Sequence, residues 1–196
     1  MCFVALIGGA AVWFAFHDQA RFSGDRLEQF EGRISHERVT FDPVKSELAT
    51  RAAQALKRGD AAEAERVYRQ TVERYPNDAS CYTDLGACLF FQEKYAEARQ
   101  EYLRALELNP HSADARYGLG CVDYKENRFP EARDQLLQAL AIHESDAATH
   151  RVLTLVYIEL REPEKARTHF DRAGALDPAI AADESIRQRL AGPTLR

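Results

Sequence analysis

Six histidines and four cysteines are the side chains of this chain best suited to hold a metal or attack a carbonyl, and their spacing decides whether they do. His17, His36, His111, His143, His150 and His169 are scattered along the sequence, and none falls in the HExxH pattern that sets two imidazoles on one helix face around zinc. Cys81 and Cys88, seven residues apart, would stand about 10.5 Å apart along a helix axis, too far to bridge. No CxxC pair, glycine-rich phosphate loop or GxSxG nucleophile turn is present. Ala5 and Gly9, four apart in an apolar run, offer at most a close-packing face for another helix. The residues therefore predict reduced thiols and a non-enzyme, with no catalytic residue, metal site, cofactor or small-molecule substrate.

The elements that carry these residues explain their scatter. Ala64, Ala98, Ala132 and Ala166 recur every 34 residues, and a frame of apolar and small residues moves with them. In the best-marked stretch, Ala79–Ser112, Tyr82, Leu85 and Gly86 mark a first helix and Tyr95, Ala98, Tyr102 and Ala105 a second, with Pro110 at the exit. Lys45–Asp78 keeps Leu48, Ala52, Gly59, Ala64, Tyr68 and Pro76; Ala113–Asp146 keeps Leu119, Gly120, Phe129, Ala132, Leu136 and Ala139; Ala147–Ile180 keeps Leu153, Tyr157, Ala166, Phe170, Ala173 and Pro178. Two helices that cross closely need a small residue at the crossing, so Gly86 is expected against Ala98 and Gly120 against Ala132. Asp78, Ser112 and Asp146 precede first helices as amide acceptors, and Asp42-Pro43 opens the array the same way.

This 34-residue frame resembles the tetratricopeptide repeat family, and the resemblance covers residues 45 to 180. It implies an all-α fold: a right-handed superhelical solenoid of four helix-turn-helix repeats (45–78, 79–112, 113–146 and 147–180), closed by a capping helix and tail at 181–196. In that cap Ile186 and Leu190 stand four apart. Cys88 and Cys121 then fall on neighbouring first helices as a borderline disulfide pair.

The resemblance also implies a concave surface, lined by the first helix of each repeat, that binds an extended peptide or a helix of a protein partner. By register its lining is Ser80, Thr83, Ala87, Phe90 and Phe91, then Asp114, Tyr117, Cys121, Tyr124 and Lys125, then Arg151, Leu155, Ile158 and Glu159. Phe91 and Leu155 are the informative members, because polar residues usually occupy those places. Ala49, Ala53 and Ala87 stand where the subgroup that grips chaperone carboxylate tails has cationic or amide side chains, which argues against that ligand. Repeats two and three together carry 7 basic and 12 acidic side chains, while the formal charge of the whole chain is -5. A partner with apolar anchors and some basic residues suits this middle, and nucleic acid does not.

The front of the chain differs in kind. Met1–Phe16 carries no charged side chain in a protein that is 29% charged. A bilayer span takes about 20 residues, so residues 1–17 read as a membrane anchor with Trp13 and Phe14 at the interface. A cleaved secretory signal or a buried helix are the rivals, although the positive n-region and small-x-small site of a signal are missing. Residues 18–44 form a charged linker in which Leu27, Phe30 and Ile34 make a short amphipathic helix. Arg21, Arg26 and Arg33 follow the apolar run, so the positive-inside rule places the repeats in the cytoplasm, with the periplasmic side as the alternative. The expectation is a single-pass, membrane-anchored adaptor; its alternatives are a secreted or periplasmic repeat protein of envelope assembly, or the regulatory subunit of an enzyme encoded elsewhere.

Overall fold

The computed structural model describes residues 42–191, which form ten helices and no strand. The expected membrane anchor at 1–17 and nearly all of the 18–44 linker lie outside the described residues. Among those described, no helix is long and apolar enough to cross a membrane. The described residues divide into two compact units, the first ending at Tyr75 and the second beginning at Pro76.

In the first unit, α1 (Pro43–Lys57) and α2 (Ala61–Arg74) form one hairpin. Pro43 presets the first turn, and Asp42 caps the helix by accepting from the amides of Val44 and Lys45 at 2.9 and 3.1 Å. The Tyr75 hydroxyl donates to the same carboxylate at 2.7 Å, and these bonds hold Asp42 below its usual range. Leu48, Ala52 and Leu56 of α1 are buried against Ala64, Val67 and Tyr68 of α2. Gly59, with φ at +76°, turns the chain between them, and the Asp60 amide closes the turn on the Ala55 carbonyl at 2.9 Å.

The second unit stacks three such hairpins: α3 (Ala79–Phe91) with α4 (Tyr95–Leu108), α5 (Ala113–Lys125) with α6 (Phe129–Ile142), and α7 (Ala147–Glu159) with α8 (Pro163–Leu176). Each second helix also packs on the next first helix, α4 on α5 and α6 on α7. Asp78, Ser112 and Asp146 cap the three first helices by accepting amide hydrogen bonds. Ala98, Ala132 and Ala166 are wholly buried at the crossings. The tightest neighbour of Gly86 is Tyr102 of α4. A Cβ built on Gly86 meets Tyr102 Cε1 at 2.8 Å, and one built on Gly118 meets Cζ and Cε1 of the same ring at 2.3 and 2.4 Å, so glycines of two hairpins clasp one tyrosine. A Cβ on Gly120 meets Leu136 at 2.6 Å and the Ala132 carbonyl at 3.4 Å.

After α8 the chain makes one turn, α9 (Pro178–Ala181), close enough to Gly174 that a Cβ there would lie 2.8 Å from that of Ala181. Then α10 (Glu184–Ala191) lies on α7 and α8 with Ile186 at 1% exposure. It is anchored by Arg189 to Glu159 at 2.6 Å, and by Asp183, which caps it and reaches Arg151 at 3.5 Å.

Candidate functional site

The first helices of the second unit touch in sequence, α3 with α5 and α5 with α7, which makes one lateral face out of three helices. Residues three and four apart share a helix face. Thr83, Ala87 and Phe91 therefore align on α3, Tyr117, Cys121 and Lys125 on α5, and Arg151, Leu155 and Ile158 on α7.

The side chains on this face are unequal. Tyr117 and Cys121 are buried in its floor, and burial pushes the Cys121 thiol up to about 12, far from any thiolate. The borderline Cys88–Cys121 disulfide is not formed. Phe90 packs on Phe91 and Tyr95 with ring centroids 5.8 and 5.5 Å apart, and Tyr124 packs on Phe129 at 5.9 Å. Phe90 and Tyr124 thus serve the hairpin turns. Thr83 donates its hydroxyl to the Ala79 carbonyl within its own helix. Half-buried on the face are Ala87, Phe91, Leu155 and Ile158, while Lys125 is exposed and Arg151 is tied to Asp183. Asp114, in the first turn of α5, adds negative charge at the near end, and partial desolvation raises its carboxyl against the pull of His143.

Two clusters lie outside every motif in the sequence. Asp123, 3% exposed at the end of α5, is held by Arg99 of α4 at 2.9 Å and Arg128 of the following turn at 2.6 Å. Both arginines also reach Glu126, at 2.7 and 2.9 Å. Burial pushes the Asp123 carboxyl up, against the opposing pull of Arg99. The signal was available: at 34-residue steps Asp123 stands where the other repeats have Ala55, Leu89 and Tyr157, so a carboxylate occupies an otherwise uncharged position.

The second cluster joins two of the histidines that the sequence shows as scattered. His150 Nδ1 of α7 and His169 Nδ1 of α8 are 2.8 Å apart, and the His169 ring stacks on Tyr157 at 5.3 Å and 17°. Among the described residues no group of three or more ligating side chains is placed to hold a metal ion.

Comparisons with known proteins agree with the repeat frame. Tetratricopeptide repeat models match residues 50–78, 78–145 and 117–181. No curated protein matches the chain. Among solved structures, MamA from Desulfovibrio magneticus RS-1 is 22% identical with a TM-score of 0.60, over 76% of this chain and 90% of that one. Pseudomonas aeruginosa PilF is 21% identical with a TM-score of 0.65, over 75% and 66%. A chain of the APC/C hetero-tetramer Cut9-Hcn1 is 22% identical with a TM-score of 0.65, over 75% and 29%. At these identities the likeness is one of fold.

Proposed function

This chain belongs to the tetratricopeptide repeat family, and from that premise we propose that it is a membrane-tethered, non-catalytic adaptor that seats a helix or peptide of a protein partner on the face of α3, α5 and α7. The fold supports a protein–protein interaction scaffold, and one structural relative is solved as a hetero-tetramer with a second protein. The observation that carries the finer reading is the placement of Leu155 and Ile158 on α7. Both are aliphatic and only half-buried, on a face whose deeper members already supply the core. Fully burying such a side chain against a partner is worth about 1.5–3 kcal/mol.

Leu155→Glu is the sharpest test, with Phe91→Glu at the other side of the face. Either charge is expected to weaken capture of the partner by tenfold or more, while the melting temperature falls by less than about 3 °C, because a half-open site tolerates charge. Partners identified by mass spectrometry on the full chain, then retested with each variant, provide the measurement. Equal capture by both folded variants would move the binding surface elsewhere.

The tether is the part of this proposal that rests on residues 1–17 alone. Sixteen uncharged residues favour lipid, and deleting 1–20 is expected to move the protein from the carbonate-resistant membrane fraction to the soluble one without loss of helix. A mature chain beginning between residues 17 and 21 would instead make the segment a cleaved signal. The arginines that follow it favour cytoplasmic repeats.

A further inference from the structure

We propose that His150 and His169 form a proton-operated latch that holds the last hairpin, α7 with α8, closed at neutral pH and releases it in acid.

The bond between the two rings fixes their protonation. His150 Nε2 lies 3.3 Å from the Glu144 carbonyl, which can only accept, so this nitrogen carries the hydrogen. In a neutral ring Nδ1 is then the acceptor, and His169 Nδ1–H donates to it across 2.8 Å. A single chain of hydrogen bonds thus runs from α8 through α7 to the loop before it. One further proton places a cation among buried groups; a second turns both facing nitrogens into donors and removes the bond between the helices.

Burial outweighs the two groups that favour that charge at His150, the Glu144 carbonyl and Asp146. Neither ring bonds to a carboxylate. Asp146, which faces His150, is committed to the Ala148 and Thr149 amides, and Arg172 of α8 opposes it. Around the stacked Tyr157, Lys165 and Arg133 are set against Glu162 and Asp134. Asp114 faces Asp146 from α5. On α10 the nearest charges are paired, Asp183 with Arg151 and Arg189 with Glu159. Burial, aided by His150, pushes His169 down from 6.5 to about 4, and burial lowers His150 as well. The closed hairpin therefore resists protons between pH 6.5 and 4 that the open one accepts, and stability present above 6.5 is lost as pH falls through that window. From His169 alone the opening equilibrium should rise by about 10–30-fold between pH 8 and 5.

The device belongs to this hairpin alone among the described four. At 34-residue steps His150 replaces Leu48, Tyr82 and Arg116, and His169 replaces Val67, Glu101 and Gln135. Gln135 supplies the control, since His169→Gln keeps an N–H donor and is already tolerated at this register one repeat earlier.

Hydrogen exchange on the full chain, compared at pH 8 and 5 after correction for intrinsic rates, tests the latch without any partner. Opening of α7–α8 should rise about 10–30-fold more than that of α5–α6, and by less than about threefold in His169→Gln. Equal acid response of the two hairpins, or an unchanged response in the variant, would overturn the proposal. Imidazole titration by NMR in the unaltered protein is an independent check: both rings titrating near 6.5 would end it. If zinc added to chelator-treated protein at pH 8 slows α7–α8 exchange tenfold in the unaltered chain alone, the pair is a metal site and not a latch. Because α7 carries Arg151, Leu155 and Ile158, acid would also loosen a bound partner; that consequence rests on the groove reading, whereas the exchange experiment does not.

Discussion

Gly118→Ala is expected to lower the melting temperature by roughly 3–10 °C, although alanine is ordinarily the better helix residue. The propensity gain at an interior helical position is only about 0.5–1 kcal/mol. Against it stands a methyl group placed 2.3 Å from Tyr102 Cζ and 2.4 Å from Cε1. A ring end on an open surface would swing aside. This ring is 2% exposed, and Gly86 of α3 already lets it come so close that a Cβ there would sit 2.8 Å from Cε1. Retreat from α5 means advance on α3, so the two hairpins must part. Overpacking of this kind costs about 1–3 kcal/mol, and in a chain of this size each kcal/mol shifts the midpoint by about 2–4 °C. The check is a double-mutant cycle with Tyr102→Leu, which should return most of the loss. A Gly118→Ala variant as stable as the unaltered chain, or one indifferent to Tyr102→Leu, would mean that the ring does not hold the hairpins at this spacing.

That clasp also marks where the sequence stops being readable. The 34-residue frame announces which residues are small and which face is apolar, because close helix crossings leave no alternative; Ala64, Ala98, Ala132 and Ala166 are all wholly buried where the frame puts them. The caps are equally legible, since an Asp or Ser before an apolar period has a local partner within three residues. Contacts between helices are another matter. Gly86 reads as a partner for Ala98, but that the Tyr102 ring also enters its gap and meets Gly118 of the next hairpin is not readable, because the side chain that enters a gap depends on a few degrees of helix rotation that periodicity does not encode.

The turns give a second example. Gly59 is the one visible signal for a left-handed residue between paired helices, yet Glu93, Asn127 and Arg161 adopt φ of 60 or 61° at the same register. The strain of about 1–2 kcal/mol at each is held by the closure that follows: Lys94 N–H to the Leu89 carbonyl at 3.0 Å, Arg128 to Asp123 at 2.8 Å and Glu162 to Tyr157 at 2.9 Å. Once two helices are fixed by their packing, the turn takes the conformation they dictate, whichever residue is there. The candidate groove was legible as a register but not as a surface. Tyr117 and Cys121 lie on the predicted face and are buried in it, and the His150–His169 bond joins residues that no spacing rule pairs.

Asp123 makes the strongest electrostatic prediction. Asp123→Ala is expected to destabilise the chain by about 2–3 kcal/mol, even though burial works against the carboxylate it removes. Taking a carboxylate to 3% exposure is costly, and the pull of Arg99 does not fully offset it, so the network is not there because ion pairs are cheap. Its removal is nonetheless harmful, because Arg99 of α4 and Arg128 of the turn converge on this one acceptor, and without it two guanidinium groups face each other. Breaking a buried pair outright costs about 3–5 kcal/mol; here Glu126 still reaches both arginines, at 2.7 and 2.9 Å, which lowers the figure. Arg99→Ala leaves Asp123 its bond to Arg128 and should cost only about 1–2 kcal/mol, and the two changes together should cost less than their sum. Urea denaturation of the three variants decides it. An Asp123→Ala chain as stable as the parent would show that the arginines turn to solvent once released, and that α4 and α5 are joined by apolar packing alone.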